Sequence, residues 1–439
     1  MKLLLPQNRW FGDEPVEIDV PDSWDTHVAE MDGDKEPVLT LEQIKGKIDS
    51  PYGSDPLFKM AKGKKSACIV FDDMSRGTPC KEAAHIIVEE LLSAGIPKDK
   101  IVFICGVGMH GALERDDFVK KLGEDIVAEY AVFNHNPYEN LVEVGTTSRG
   151  FKVMINAEYM RYELRIGIGG LVPHPTAGFG GGSKIILPGV TGLDTVCENH
   201  KAVFSYVFLN KGAPFSNCIG DLRNKDLRED VEETAMLAGL DFKVDILMNT
   251  KCEIIDVYAG HPIIEYYEGV KRGFDVYNMD HFDKVDVCIV NANAKSNESG
   301  MAFNVAADCI NDGGDIVMVN FCPTGPVNHY LVCMWGLKTG GRLAGGSRHD
   351  QPLPSNVGKF IIFSPYKSYN QSISFASHDR VVWASTWEEF MANLSHRGPG
   401  TKAAVIREGL MSMFSDDFKK DYTPVNLGLK KQELIVGEL

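Results

Sequence analysis

This 439-residue chain has no long apolar run, no paired cysteines and no excess of positive charge. No window approaches the roughly 20 consecutive apolar residues of a membrane span, so no membrane partner is expected. The opening Met1-Lys2-Leu3-Leu4-Leu5-Pro6 falls short of the roughly 7–15 apolar residues of a signal-peptide core and reads as cytoplasmic sequence. Ten cysteines occur without a single C-x-x-C pair. Several sit in strand-like runs, such as Cys68 in Ala67–Phe71, as reduced thiols buried like small hydrophobes do. Lys and Arg number 45 against 61 Asp and Glu, a net charge of −16. A surface of that sign does not neutralise phosphates, and neither an RNA-binding aromatic signature nor zinc-knuckle spacing is present. No nucleic-acid partner is expected.

The length exceeds what one core usually serves, so two domains are expected. Ala67–Phe71 reads as a buried parallel strand, Glu82–Leu92 as a helix opened by Pro79 and closed at Gly95-Ile96-Pro97, and Ile101–Cys105 as the next strand. A charged helix near Arg115–Leu122 follows, then strand-like runs at Glu129–Phe133, Phe151–Ile155 and Leu164–Ile168. After a turn-rich break near Gly273–Phe282 the style repeats. Strands are expected at Val285–Val290, Asp315–Asn320 and Phe360–Phe363, with helices at Met301–Ile310 and Asn328–Leu337. The expectation is an α/β protein with two domains built on parallel-type sheets and a cofactor site in the cleft between them. Residues 1–275 form the first domain, with the tail 406–439 packing back on it, and 280–405 form the second.

The most distinctive stretch runs from Pro173 to Lys184, Pro-His-Pro-Thr-Ala-Gly-Phe-Gly-Gly-Gly-Ser-Lys. Gly178, Gly180, Gly181 and Gly182 give a backbone free to take positive φ and lie against a flat or anionic ligand. His174 stands at the mouth of this loop, Lys184 at its far end, and His200 sixteen residues beyond. The order Gly182-Ser183-Lys184 is not that of a P-loop, and Ser183 stands where a dinucleotide fingerprint needs glycine. A bound cofactor touched by, or joined to, Lys184 is expected.

In open α/β sheets ligands bind beyond the carboxyl ends of the strands. Asp73 and Arg76 follow the first predicted strand, His110 the next, and His174 the strand at Leu164–Ile168. Each has a plain alternative. Asp73 and Arg76 can form a local ion pair with Asp73 or Thr78 capping the helix, and His110 can be a solvated loop residue. His135, in Asn134-His135-Asn136-Pro137, reads as a turn residue. His174 lies between two prolines that restrict its backbone, a poor setting for core packing. Histidines from separate loops can still bind a transition metal, and imidazole suits nickel, copper or zinc.

These pieces resemble the nickel-dependent lactate racemase family. The matching segments are Asp-x-x-Arg-x-Thr-Pro at Asp73–Pro79, Gly-x-His at Gly108–His110, the long run Pro173–Gly189, and His200. The opening Leu5-Pro6-Gln7 and Ile18-Asp19-Val20-Pro21 is also similar. The resemblance implies a nickel pincer nucleotide, a pyridinium mononucleotide that brings two sulfur donors and one carbon donor to nickel. It implies that Lys184 forms the thioamide tether and that His200 is the protein's nickel ligand. Asp73, Arg76 and the Gly180, Gly181, Gly182 backbone would hold the cofactor. His110 and His174 would be the acid/base pair for the two enantiomers, and Arg76 would orient the substrate carboxylate. Hydride would leave Cα for the cofactor and return to the opposite face, which avoids ionising a barely acidic C–H bond.

One stretch departs from the family. Lactate racemases carry a tyrosine–glutamine pair and then a lysine after the strand equivalent to Val285–Val290. Here that stretch is Asn291-Ala292-Asn293-Ala294-Lys295-Ser296-Asn297-Glu298-Ser299-Gly300. Lys295 is either a displaced substitute for that lysine or a solvated loop residue. Asn297 and Glu298 suit a more polar hydroxy acid, such as a sugar acid, and Arg342, Arg348, His349 and Tyr366 are further cleft candidates. The expected activity is racemisation or epimerisation of a 2-hydroxy acid. The expected partners are that substrate, the enzymes that make the cofactor, and a second copy of the chain. The alternatives are a zinc-dependent or metal-independent hydrolase or lyase on a related scaffold, and a noncatalytic protein that binds the nickel cofactor.

Overall fold

The computed structural model describes residues 1–12, 14–209, 218–222, 225–331, 341–343, 353–368, 371 and 381–415. Arg348, His349, Cys333, the end of the helix expected at Asn328–Leu337 and the tail beyond 415 lie outside the described residues.

The first sheet has six strands: β1 (Ala67–Asp72), β2 (Ile101–Gly106), β3 (Ala131–Asn134), β4 (Leu164–Gly170), β5 (Phe242–Met248) and β6 (Ile254–Gly260). Their order is β6-β5-β4-β1-β2-β3, and every pairing is parallel except β5 with β6. Strand β1 reads Ala-Cys-Ile-Val-Phe-Asp and is buried over its first five residues, because helices cover both faces of a parallel sheet. Burying a residue such as Ile69 or Phe71 contributes about 1.5–3 kcal/mol. Helices α1 (Lys81–Ser93) and α2 (Arg115–Leu122) follow β1 and β2, and α3 (Leu193–Leu209) and α4 (Lys225–Leu237) lead to β5. Helix α5 (Ile264–Val276) then runs through the start of the expected break at Gly273–Phe282. Val270, Gly273 and Phe274 supply its buried face there.

From β1 the chain moves outward through β2 and β3, and from β4 it moves outward the other way. The loops after β1 and β4 therefore part at the point where the strand order reverses, which leaves a crevice at their carboxyl ends.

The second sheet contains β7 (Val285–Asn291), β8 (Ile310–Val319), β9 (Val357–Phe363), β10 (Val381–Ala384) and β11 (Lys402–Ile406) in the order β10-β9-β8-β7-β11, all parallel. Helix α6 (Gly300–Asp308) joins β7 to β8. The outer edge beside β11 is taken by Asp25–Ala29, paired in parallel from Lys402↔Asp25 to Ile406↔Ala29. Sheet membership therefore does not follow the chain cut expected near 275–280. The hairpin of Lys2–Leu5 and Val16–Asp19 likewise buries Leu5, Val16 and Ile18 against Val287, Val317 and Ile361 of the second sheet. One apolar cluster spans both halves, from Leu171, Phe179 and Phe274 to Val290, Phe303 and Met318.

Two local expectations change. Lys152–Asn156 pairs antiparallel with Leu141–Thr146 as a separate hairpin rather than joining the main sheet, since its neighbour Leu141–Thr146 is exposed or half-buried throughout. Glu129 ends a short helix, and the strand begins at Ala131. Apart from Cys333, the cysteines are buried. No described helix is long and apolar enough to cross a membrane.

Candidate active site

Strand β1 ends in Asp72, and the turn that follows is held from below. Asp72 accepts hydrogen bonds from Lys121 Nζ (2.6 Å), Thr78 Oγ1 (2.6 Å) and Gly170 N (3.1 Å). Lys121 Nζ also donates to the carbonyl oxygens of Arg76 and Thr78, at 2.9 and 3.3 Å. Thr78 is thus engaged with Asp72 rather than capping α1.

The turn presents Asp73 and Arg76. The local Asp73–Arg76 ion pair is not what forms. Asp73 Oδ2 takes His110 Nδ1 at 2.6 Å, while Oδ1 accepts from Ser75 N (2.7 Å) and Ser75 Oγ (2.5 Å). Arg76 Nη1 donates to Ser75 Oγ (2.7 Å) and pairs with Glu298 Oε2 at 2.6 Å. His110 is buried, not solvated, and its Nε2 stands 3.5 Å from Glu298 Oε1. Burial alone would raise the Asp73 carboxyl, but the His110 and Arg76 charges hold it well below the usual range. Burial lowers His110, and the Asp73 charge outweighs it, so the imidazole ends above its ordinary value.

Lys295 is not a solvated loop residue. It is buried, and its Nζ lies 3.0 Å from Glu298 Oε2. Glu298 thus gathers Arg76 and Lys295 in front of His110, and these cations hold it well below the ordinary carboxyl value against its burial. Burial and the Arg76 charge lower Lys295 in turn.

The loop after β4 closes the other side. Pro173–His174 pairs antiparallel with Gly178–Phe179, and His174 Nδ1 accepts from Thr176 N and Ala177 N. The glycines meet the protein's own floor. Gly181 (φ +81°) leaves no room for a Cβ against Asp245, nor Gly182 (φ +54°) against Arg228 and Tyr266. Asp245 Oδ2 accepts from Gly182 N (2.5 Å), and Arg228 Nη1 donates to Gly181 O (3.3 Å). Lys184 lies in the short turn Gly182–Ile185 with its backbone N donating to Gly181 O (3.2 Å), and its amine makes no hydrogen bond or ion pair among the described residues. Desolvation, then the charges of Arg228, Arg76 and Lys295, push its amine down to about 7. His200, on α3, donates from Nδ1 to Val196 O at 3.0 Å, which leaves the Nε2 lone pair without a partner among the described residues. Burial and Lys184 push this imidazole down to about 3. His174 is lowered well below its ordinary value by burial and then by Lys184, Lys295 and Arg76, so these groups share one electrostatic site.

The profile of the lactate racemase N-terminal domain matches residues 11–208. Lactate racemase of Thermoanaerobacterium thermosaccharolyticum is 24% identical over 326 residues, covering 72% of this chain and 74% of that protein. Lactate racemase of Lactiplantibacillus plantarum is 28% identical over 288 residues, covering 63% and 65%. The solved apoprotein of the first superposes with a TM-score of 0.69 at 19% identity, over 94% of this chain and 99% of that one. A Thermotoga maritima protein gives a TM-score of 0.60 at 15% identity, over 86% and 99%. Residues 11–208 thus match the lactate racemase N-terminal domain, and the fold around them is that of the solved lactate racemase apoprotein.

Three features of the site were not legible in the sequence. The segment Pro6–Trp10 runs between the two halves: Trp10 Nε1 donates to Arg76 O, Asn8 Nδ2 to Ser296 Oγ, and Asn291 Nδ2 to Pro6 O. His329 packs its ring 5.3 Å from that of His110, across an antiparallel bridge that includes Tyr330 N to Met109 O (2.8 Å). Arg228 and Asp245 support the glycine loop from distant elements. Of these residues only Pro6 carried a signal, in the family-like opening Leu5-Pro6-Gln7. His135 is structural as expected, buried between Thr191 O and Asn156. Arg342 points away to Asp194, and Tyr366 is exposed.

Proposed function

We propose that this chain racemises or epimerises a 2-hydroxy acid with the help of a lysine-tethered nickel pincer nucleotide. The observation that supports it most is the convergence of the Asp73–His110 pair, Arg76, Lys295, His174 and a Lys184 amine with no partner among the described residues on one crevice. The relatives named lactate racemase supply the reaction class.

The residues fit the cofactor. A lysine amine that is substantially neutral near pH 7 suits a covalent tether. His200 has its Nδ1 proton fixed on a carbonyl and its Nε2 lone pair without a partner among the described residues, the arrangement a metal-ligating imidazole adopts. Among the described residues no three His, Cys, Asp or Glu side chains gather as a cage, so the chain offers one imidazole to a group that brings its other donors. When bound, the nickel cofactor supplies an acceptor for hydride from the substrate's C2. Asp73, Arg76 and the glycine loop border the place where the cofactor would lie.

The chain's own residues do the rest. Arg76 and Lys295 are the cations available to a substrate carboxylate. His110 and His174 meet the 2-hydroxyl, and Asp73 holds the ring of His110 and balances its charge. Glu298 is an acceptor beside that carboxylate site, and it favours a substrate with further hydroxyls, such as a sugar acid, over lactate. The cofactor-making enzymes are the implied partners.

The test is co-production with those enzymes, intact mass, and a screen of single enantiomers of 2-hydroxy and sugar acids in deuterated water. The reading expects added mass on the Lys184 peptide and isomerisation without deuterium at C2. Nickel-loaded protein that isomerises none of them would overturn it.

A further inference from the structure

The second half of the chain brings His329 to the crevice, and the backbone fixes it there from two sides. Val327 N donates to Asn297 O (3.0 Å), next to Glu298. Gly111 N donates to Asn328 O (3.1 Å) and Tyr330 N to Met109 O (2.8 Å), on either side of His110. The ring of His329 therefore lies 5.3 Å from that of His110. Its Nδ1 accepts from Leu331 N at 3.3 Å, so the neutral ring carries its proton on Nε2 and is a donor there. Burial and the His110 charge push this imidazole down to about 3 against the pull of Glu298, which keeps it neutral.

Glu298 is the matching acceptor. Its Oε2 holds Arg76 at 2.6 Å and Lys295 at 3.0 Å, whereas Oε1 stands 3.5 Å from His110 Nε2. Arg76 reaches Glu298 through Nη1, and its Nη2 makes no hydrogen bond among the described residues. The guanidinium can therefore hold a substrate carboxylate beside Glu298. Two cations then face two carboxylates, and a third would go unpaired.

We propose, resting on the 2-hydroxy-acid reading above, that Glu298 and His329 form a subsite for a hydroxyl on C3 and that the substrate is a 2,3-dihydroxy monocarboxylic acid. The substrate carboxylate stays on Arg76 and Lys295, and the 2-hydroxyl stays with His110 and His174. The neighbouring 3-hydroxyl donates to Glu298 Oε1 and accepts from His329 Nε2–H, which uses both capacities of a hydroxyl. A methyl group in that place leaves donor and acceptor unpaired. A carboxylate there has no proton to give Glu298 and sets a like charge against it.

The test compares glycerate, lactate and malate, which carry a hydroxyl, a hydrogen and a carboxylate on C3. In the cofactor-loaded enzyme, kcat/KM for glycerate is expected to exceed that for either of the others by about a hundredfold or more. Calorimetric titration of the full chain is expected to give the same order of affinity without turnover. His329→Phe should lose about tenfold more kcat/KM on glycerate than on lactate, and His329→Gln, which keeps an N–H, should recover most of that difference. Lactate or malate handled as well as glycerate overturns the proposal, and so does a His329→Phe loss that is equal for glycerate and lactate. If the loaded enzyme isomerises no hydroxy acid, the functional reading falls, and the order of affinities in the titration still decides the subsite.

Discussion

Lys121 Nζ lies 2.6 Å from Asp72 Oδ1 and 2.9 Å from the carbonyl oxygen of Arg76, with its side chain fully buried. One ammonium therefore neutralises the end of β1 and fixes the height of the Arg76 loop. Removing one partner of such a pair strands the other charge in the interior, at a cost of about 3–5 kcal/mol. Lys121→Met is expected to lose stability on that scale in urea unfolding. A loss below about 1 kcal/mol would show that water reaches Asp72.

Asp73 tunes His110. Its charge favours the imidazolium and holds that group above its ordinary value, so Asp73→Asn lowers the His110 pKa. The acid limb of kcat/KM, which reports the free enzyme's base, should move to lower pH. The rate at neutral pH should drop roughly tenfold or more, because the Nδ1 proton loses its anchor. For stability, the raised His110 contributes fully below the unfolded value of about 6.5, and that share is lost as pH rises through the folded value. The lowered Asp73 contributes above about 3.9, and its share is lost as pH falls through its folded value. An unmoved acid limb in Asp73→Asn would assign that limb to another group.

Lys184 should be the most reactive amine of the cofactor-free chain. With its pKa near 7 it is about half neutral at pH 7, against less than about one in a thousand for an ordinary lysine. Brief acylation at pH 7 followed by peptide mapping is expected to mark Lys184 well before Lys2 or Lys152. Arg228→Leu removes a charge that depresses it and should slow the labelling several-fold. Uniform labelling would remove this support for a tether.

Glu298 competes with a simple substrate for Arg76 and Lys295. Glu298→Gln is expected to tighten binding of lactate or pyruvate by about tenfold, one charge-assisted contact's worth, in calorimetric titration. It should weaken binding of a polyhydroxy acid. Weaker lactate binding in the variant would mean that Glu298 chiefly holds Arg76 in place.

The parts of this molecule legible in sequence are those made by short, contiguous signals. Ala67–Phe71 and Val285–Val290 are unbroken apolar runs, and Arg115–Leu122 carries its helix within eight residues, so each could be read alone. The positions of Asp73, Arg76, His110 and His174 followed from strand ends. Their partners did not. Glu298 comes from 222 residues beyond Arg76, with Lys295 on the same turn, and a buried lysine is spelled like an exposed one. The run Phe151–Ile155 read as a strand of the main sheet, but it forms a separate hairpin, because half-buried and fully buried runs share β-branched residues.

The strand Asp25–Ala29 waits for a partner made almost last. Its neighbour Arg407 pairs with Glu30 across 377 residues of sequence. At about 5–20 residues per second, a ribosome needs on the order of 20–75 s to deliver that partner. Until then the edge of β11 does not exist and the apolar face of the amino-terminal hairpin stays uncovered. Until that partner is made, the segment from Lys2 to Ala29 exposes apolar surface that can associate wrongly. A chaperone that shields that segment during synthesis would raise yield without touching the finished enzyme.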